Sequence, residues 1–363
     1  MEKDIRLLKG NEALAEAAIR EGVDGYFGYP ITPQSEILEY FAMEDPYNKR
    51  TGMVILQAES EIAAINMVYG AAGTGKKVMT SSSSPGISLK QEGISYLAGA
   101  QLPAVVVNVM RAGPGLGAIQ PAQADYFQAV KGGGHGDYRL ITLAPSSVQE
   151  MYDFVEKAFE LAFKYRNPVM ILSDGAIGQM MEKVEIGPQK ERIPDDEIKK
   201  RYPWATVGRK KGDERTFITS LDLDPNEFEK HNRELQAKYK KIEENEVITE
   251  KINTDDADYL LIAFGTSARV SFKAMDLLRE KGHKVGLLRP ITLWPFPKND
   301  IKELAKQVKG ILVVEMNAGQ MLEDVKLTVE GKTPVEFYGR MGGVVPSPQE
   351  VVDAMEEKII NKQ

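Results

Sequence analysis

The stretch "LQAESEIAAINMVYGAAG", residues 56–73, decides the fold. It begins inside a short apolar run, "MVILQ" at 53–57, which has the length of a strand and no helical period. Ser60 then stands where its hydroxyl can accept from the free N–H groups of a helix. Glu61 sets negative charge at the positive end of that helix. The helical pattern runs over 60–73, Gly70 and Gly73 loosen its end, and a second apolar run, "KVMTS" at 77–81, follows. Strand, capped helix, strand is the unit from which parallel sheets are wound.

The same rhythm spans Val23 to Asp174. Further strands are expected at 103–110 ("PAVVVNVM"), 139–144 ("RLITLA") and 168–174 ("PVMILSD"), with helices at 10–21, 34–43, 87–100 and 146–165. Near-continuous apolar runs suit strands covered on both faces, so residues 1–181 read as one doubly wound α/β domain. Residues 182–255 are rich in Lys, Glu and Asp and include a solvated helical segment at 225–247. They read as a charged connecting arm that drapes over a neighbouring chain. The α/β rhythm restarts with "YLLIAFG", "KVGLLRP" and "KGILVVEMN", giving a smaller second domain at 256–363. Within it "LRPITLWPFP", 288–297, reads as a proline-punctuated loop after a strand.

Composition removes several classes of function. A net charge of -7 argues against nucleic acid and anionic membranes as partners. The chain has no cysteine, which excludes a disulfide framework, a thiolate nucleophile and cysteine-held iron–sulfur or zinc centres within it. No run approaches the ~20 apolar residues of a membrane span, and "MEKDIRLLKGNEALAEAAIR" lacks the apolar centre of a signal peptide. The expected location is the cytoplasm.

Several motifs have bland readings. "GAAGTGKK", 70–77, nearly spells a phosphate-binding loop, but Lys77 stands where a magnesium-binding hydroxyl belongs and a helix precedes the glycines. A helix end entering a strand explains it better. "KGGGHGDYR", 131–139, is flexible enough to be a gate, although His135 alone reads as a surface residue. Serines of "SSSSPGISL", 81–89, either cap a helix or line a crevice. Arg111 of "RAGPGLG", 111–117, follows a strand, at the end where open α/β sheets bind ligands, and an arginine there can clamp a carboxylate. In "FGYPITPQSEI", 27–37, Pro30 and Pro33 stiffen the loop that presents the Thr32 hydroxyl.

Taken together and in order, "GYPITPQSEI", "QAESEIAAINMVYGAA", "SSSSPGISL", "MRAGPGLGAIQPAQADYFQAVKGGGHGDYRL", the arm around "RYPWATVGRKKGDERTFITSLDLDPNEFEKHN" and "LLRPITLWPFP" cover most of the chain. They resemble the α subunits of 2-oxoacid:ferredoxin oxidoreductases, and most of all the branched-chain, 2-oxoisovalerate type. The resemblance implies a thiamine diphosphate pyrimidine-binding domain followed by a transketolase C-terminal-like domain. It implies that Glu61, in a buried setting, contacts N1′ of the cofactor's aminopyrimidine ring, with Glu59 as the rival residue. It implies that Thr32 bonds the 2-oxoacid and Arg111 its carboxylate, with Tyr29, Pro30 and Ile31 lining the pocket. The thiazolium then accepts electrons as CO₂ leaves, and the acyl group passes to coenzyme A.

The second thiamine motif, GDG followed by Asn, is missing; "SDGAIG" (173–178) and "HGDYR" (135–139) do not match it. The resemblance therefore places the diphosphate and Mg²⁺ on a β subunit. It places the iron–sulfur clusters on a ferredoxin-like subunit, with a γ subunit completing the complex and ferredoxin as electron acceptor. The alternative is half of a thiamine-dependent decarboxylase or synthase that does not reduce ferredoxin.

Overall fold

The computed structural model describes residues 4–209, 211–212 and 214–362. The outermost residues of the first and last domain ranges, and Lys210 and Asp213 of the arm, lie outside the described residues. Among the described residues, eight strands come before the arm helices: β1 (Asp4–Lys9), β2 (Gly25–Gly28), β3 (Val54–Gln57), β4 (Val78–Ser82), β5 (Val105–Met110), β6 (Ile141–Leu143), β7 (Val169–Asp174) and β8 (Met181–Ile186). Six follow: β9 (Thr249–Ile252), β10 (Tyr259–Ala263), β11 (Val285–Pro290), β12 (Thr292–Trp294), β13 (Gly310–Glu315) and β14 (Val335–Gly339).

The first sheet has seven strands in the order β12-β6-β7-β5-β4-β2-β3. Its neighbours pair in parallel except β12, which runs antiparallel to β6. Strands β4, β5 and β7 are buried along their whole length, as their unbroken apolar runs require. Helices Gly10–Arg20, Ser35–Glu44 and Val148–Tyr165 form one covering layer, and Glu61–Ala72 packs with Pro85–Gly99 in another. The chain steps from β2 outward to β3, then back across to β4 and β5. Strand order therefore reverses beside β2, and the crevice of an open α/β sheet opens at such a reversal.

The second sheet, β14-β13-β10-β11-β9, is parallel except for β9 against β11. Gln123 binds the two domains together. Its side chain donates to the Phe264 carbonyl at 2.8 Å and accepts from Ser267 Oγ at 2.6 Å and Met316 N at 3.0 Å. Asp174 adds a 2.7 Å bond from Thr266 Oγ1.

Two elements differ from the sequence reading. The proline-rich segment 288–297 is more than a loop: β12 leaves the second domain and extends the first sheet, burying Leu293, Trp294 and Phe296. Strand β1 pairs with β8 in a separate antiparallel ribbon, which no short apolar run announced. The arm helix, Pro225–Asn245, is largely exposed as expected, but it lays Leu235, Tyr239 and Ile242 into this chain's own core.

Candidate functional site

Four loops meet at the C-terminal ends of β3, β2, β4 and β5, which are consecutive in the sheet. The loop after β3 reaches helix Glu61–Ala72, whose N-cap is Ser60, accepting from Ala63 N at 3.1 Å. Glu61 therefore sits on the first turn, 7% exposed, whereas Glu59 is exposed. The Glu61 side chain lies against the start of helix Pro85–Gly99 at a gap that only glycine leaves. A Cβ on Gly86 would stand 2.0 Å from Ser82 Oγ and 2.9 Å from a Glu61 carboxyl oxygen. The Glu61 carboxyl makes no hydrogen bond among the described residues.

The loop after β2 carries Tyr29, Pro30, Ile31 and Thr32, and its grip comes from behind. Tyr26 OH meets Ser81 Oγ at 2.7 Å, Ser81 Oγ donates to Gln34 Oε1 at 2.5 Å, and Gln34 Nε2 donates to the Tyr29 carbonyl at 3.1 Å. Burial pushes the Tyr26 phenol up to about 12, so it stays protonated in this chain of hydroxyls. The Pro33 carbonyl accepts from Asn11 at 2.7 Å and Gln179 at 3.0 Å, and the Thr32–Pro33 peptide is cis. Thr32 itself is exposed, and its hydroxyl has no partner among the described residues.

Arg111 stands just beyond β5 and is 7% exposed. Its Nη1 donates to the Thr32 carbonyl at 3.0 Å and its Nη2 to the Leu116 carbonyl at 3.1 Å, while Nε is buried without a partner. The structure thus brings Arg111 and Thr32 together, two residues 79 apart in sequence. The glycine-rich loop makes this possible by folding back on itself. Gly117 lies at φ 62°, where a Cβ would meet the Ala112 carbonyl at 1.8 Å.

Other polar groups at the same edge are also unsatisfied: Ser82 Oγ and Ser83 Oγ are buried and unbonded. Buried polar atoms are normally paired, and these three unpaired ones, Arg111 Nε included, lie on this edge, at or just past the C-terminal ends of β4 and β5. Large apolar side chains stand open around it: Ile62 (51% exposed), Leu89 (52%) and Leu116 (85%). The donor set suits a flat heterocycle and a small carboxylate. Among the described residues no group of three His, Asp or Glu side chains is placed to hold a metal.

Two features escaped the sequence reading. Lys90 is fully buried, with Nζ 3.0 Å from Thr80 Oγ1 and 3.5 Å from the Glu61 carbonyl. Burial lowers its pKa to about 8, against the opposing pull of Glu61. Its signal was available, because Lys90 occupies the helix face of Ile87 and Ile94. Asn108 and Asp125 bond each other at 2.9 Å beneath Arg111. The glycine run at 131–139, which the sequence suggested as a gate, packs closely at Gly133, where a Cβ would lie 2.7 Å from the Gln91 side chain. The near-phosphate-loop at 70–77 is a helix end, with Lys77 bound to Glu21 at 2.6 Å.

A doubly wound domain that opens a buried glutamate at its reversal crevice, followed by a smaller parallel α/β domain, has the make-up of a thiamine-enzyme half. Residues 16–251 match the model of the thiamine diphosphate-binding domain of pyruvate flavodoxin/ferredoxin oxidoreductases, and 257–351 that of pyruvate:ferredoxin oxidoreductase core domain II. The chain belongs to this family of thiamine diphosphate-dependent 2-oxoacid:ferredoxin oxidoreductases.

It is 51% identical to the ketoisovalerate oxidoreductase subunit VorB of Methanothermobacter thermautotrophicus, over 97% of each chain. It is 38% identical to the 2-oxoglutarate synthase subunit KorA of Methanothermobacter marburgensis, over 95% of this chain and 97% of that one. Among solved structures, the 2-oxoglutarate:ferredoxin oxidoreductase of Magnetococcus marinus, with 2-oxoglutarate, coenzyme A and succinyl-CoA bound, superposes with TM-score 0.84 at 28% identity. That match covers 98% of this chain, which spans 65% of the length of the solved one. A split-gene transketolase shares the fold, with TM-score 0.61 at 14% identity over 98% and 99% of the two chains. Among the described residues no helix is long and apolar enough to cross a membrane.

Proposed function

We propose that this chain is the α subunit of a coenzyme A-acylating 2-oxoacid:ferredoxin oxidoreductase that prefers 2-oxoisovalerate. The observation that carries the reading is the presence, along one C-terminal edge of the sheet, of an unbonded buried carboxyl at Glu61 after β3 and a guanidinium that keeps a spare donor at Arg111 after β5. In this reading Glu61 bonds N1′ of the aminopyrimidine ring, in the gap left by Gly86. Arg111 receives the 2-oxoacid carboxylate through its free Nε–H, in a charge-assisted bond. The Thr32 hydroxyl bonds the substrate beside it, and Tyr29, Pro30 and Ile31 wall the pocket. When bound, the thiamine supplies an electron sink for the carbanion left as CO₂ departs. The acyl group goes to coenzyme A and two electrons go to ferredoxin.

Ile62, Leu89 and Leu116 are exposed around the crevice, and a β subunit that brings the diphosphate and Mg²⁺ covers them. With no cysteine here, the iron–sulfur path runs through a ferredoxin-like subunit, and a γ subunit completes the assembly. Such an enzyme works in the cytoplasm. The branched-chain assignment follows the relative at 51% identity over the one at 38%.

The test is co-expression with the partner subunits, then coenzyme A-dependent viologen reduction with 2-oxoisovalerate, pyruvate, 2-oxoglutarate and indolepyruvate. The highest kcat/KM is expected for 2-oxoisovalerate. A decisive preference for 2-oxoglutarate overturns the substrate assignment, and turnover without any electron acceptor overturns the oxidoreductase.

A further inference from the structure

The Arg111 guanidinium is aimed from Thr32 and Leu116, but its backbone is held by a separate device. Ser84 precedes helix Pro85–Gly99 in the N-cap position, yet its hydroxyl caps nothing in that helix. It turns instead to Arg111, accepting from Arg111 N at 3.0 Å and lying 3.1 Å from the Arg111 carbonyl. The same oxygen is 2.6 Å from Asp125 Oδ2. Asp125 Oδ2 also accepts from Asn108 Nδ2 at 2.9 Å, and Asn108 Oδ1 accepts from Ser84 N at 3.1 Å.

The ring Ser84–Asp125–Asn108 therefore closes on the residue that follows β5. It also holds Ser84 at φ 22°, ψ -82°, a conformation that is strained for a non-glycine residue. Strain held by a closed hydrogen-bond ring, one residue from a helix that would have accepted ordinary capping, marks a geometry fixed for something other than the helix.

Asp125 belongs to a segment fastened on its other side to the second domain. Gln123 makes the bonds described above, the Ala124 carbonyl accepts from Gln320 Nε2 at 2.7 Å, and Tyr126 OH donates to Asp324 at 2.8 Å. Upstream, Arg111 and Pro121 form an antiparallel bridge, and Ala112 N donates to the Gln120 carbonyl at 3.0 Å. One short segment touches both the strand end that carries Arg111 and the seat of the second domain.

We propose that Asp125, acting through Ser84, is the positioning residue that fixes Arg111 for the 2-oxoacid carboxylate. The proposal rests on the reading of Arg111 given above. Asp125 touches neither substrate nor cofactor; it sets where the Arg111 backbone stands, and its segment anchors that position to the second domain.

The experiment uses the co-expressed complex and compares Asp125→Ala, Asp125→Asn, Ser84→Gly and Arg111→Lys, measuring KM and kcat for the preferred 2-oxoacid and the Kd of thiamine diphosphate. Loss of one such bond should raise KM about tenfold in Asp125→Ala, with kcat changed less than about threefold. The Kd of thiamine diphosphate should stay unchanged. Asp125→Asn keeps an acceptor oxygen and should recover most of the loss. Ser84→Gly relieves the backbone strain but removes the hydroxyl, so it should match Asp125→Ala.

Wild-type KM in both Asp125→Ala and Ser84→Gly, beside a raised KM in Arg111→Lys, sinks the proposal alone. So does a parallel loss of kcat and thiamine affinity in Asp125→Ala, which would mark a merely structural carboxylate. An unchanged KM in Arg111→Lys removes the reading of Arg111 and this proposal with it.

Discussion

Two glutamates of the first domain, Glu16 and Glu61, are both buried, and almost everything else about them differs. Glu16 is 0% exposed in helix Gly10–Arg20 and is saturated with donors. Arg50 reaches it at 2.6 and 2.9 Å, Arg20 at 2.7 Å, Arg6 at 3.4 Å and Tyr40 OH at 3.2 Å. Glu61 is 7% exposed and its carboxyl has no hydrogen bond among the described residues. A carboxylate whose lone pairs are all used is part of the scaffold. One left without a hydrogen bond near the equally unbonded Ser82 is not held as scaffold, and that is why the proposed function gives it to the cofactor ring. Burial alone does not separate the two roles; saturation does.

The sharpest way to break this contrast is Glu61→Gln. In the reconstituted complex it should lower kcat about 10²–10⁴-fold, the range for loss of a positioned acid. Because the carboxyl bonds nothing in the protein, the melting temperature of the isolated chain should hardly move. A large loss of stability with modest loss of turnover would make Glu61 a second Glu16.

The reverse pattern is expected for Glu16→Gln. Removing one partner of a buried ion-pair cluster costs about 3–5 kcal/mol, here by stranding Arg50 and Arg20. Chemical denaturation of the isolated chain measures it. The same residue gives a pH dependence. Burial opposes the Glu16 charge, but the hydrogen bonds and charges of Arg50 and Arg20 outweigh it and hold its carboxyl below the ordinary 4.5. A lowered folded pKa means that the contribution is fully present above 4.5 and is lost as pH falls through the lower, folded value. Glu16→Gln should flatten that part of the acid limb. An acid limb identical to wild type would show that Glu16 is not what the low pH unfolds.

How much of this was legible from residues follows from what each feature depends on. The sheet core was legible, because β4, β5 and β7 are covered on both faces and their apolar runs are unbroken. The position of Glu61 on the first turn of a helix was legible from the Ser60 cap before it. Strand β12 was hidden, since it is three residues long between prolines and owes its pairing to β6, nearly 150 positions away. Strand β1 was hidden for a related reason: Ile5 and Leu7 are exposed at 57% and 62% and Leu8 is its single buried residue, so little apolar alternation marks its sequence. Asp125 and Asn108 look like ordinary polar residues until the fold brings them beneath Arg111. What depends on local covering was readable; what depends on distant partners was not.

The smallest expected effect belongs to Lys90, which stands between the two cases. It is buried like Glu16, yet among the described residues it has only Thr80 Oγ1 at 3.0 Å and the Glu61 carbonyl at 3.5 Å for its three donors. Burial brings its pKa from 10.5 to about 8. Between those values the unfolded chain holds a proton that the folded chain has released, so stability gains a rising contribution as pH goes from about 8 to 10.5. Lys90→Met keeps the volume and removes the titration. Its stability should exceed wild type near pH 7, and the difference should shrink steadily toward pH 10.5. A difference that stays constant with pH would mean that Lys90 is charged and well paired in the folded chain. Lys90 would then join Glu16 in the saturated scaffold, and the unsatisfied edge around Glu61 would be narrower by one residue.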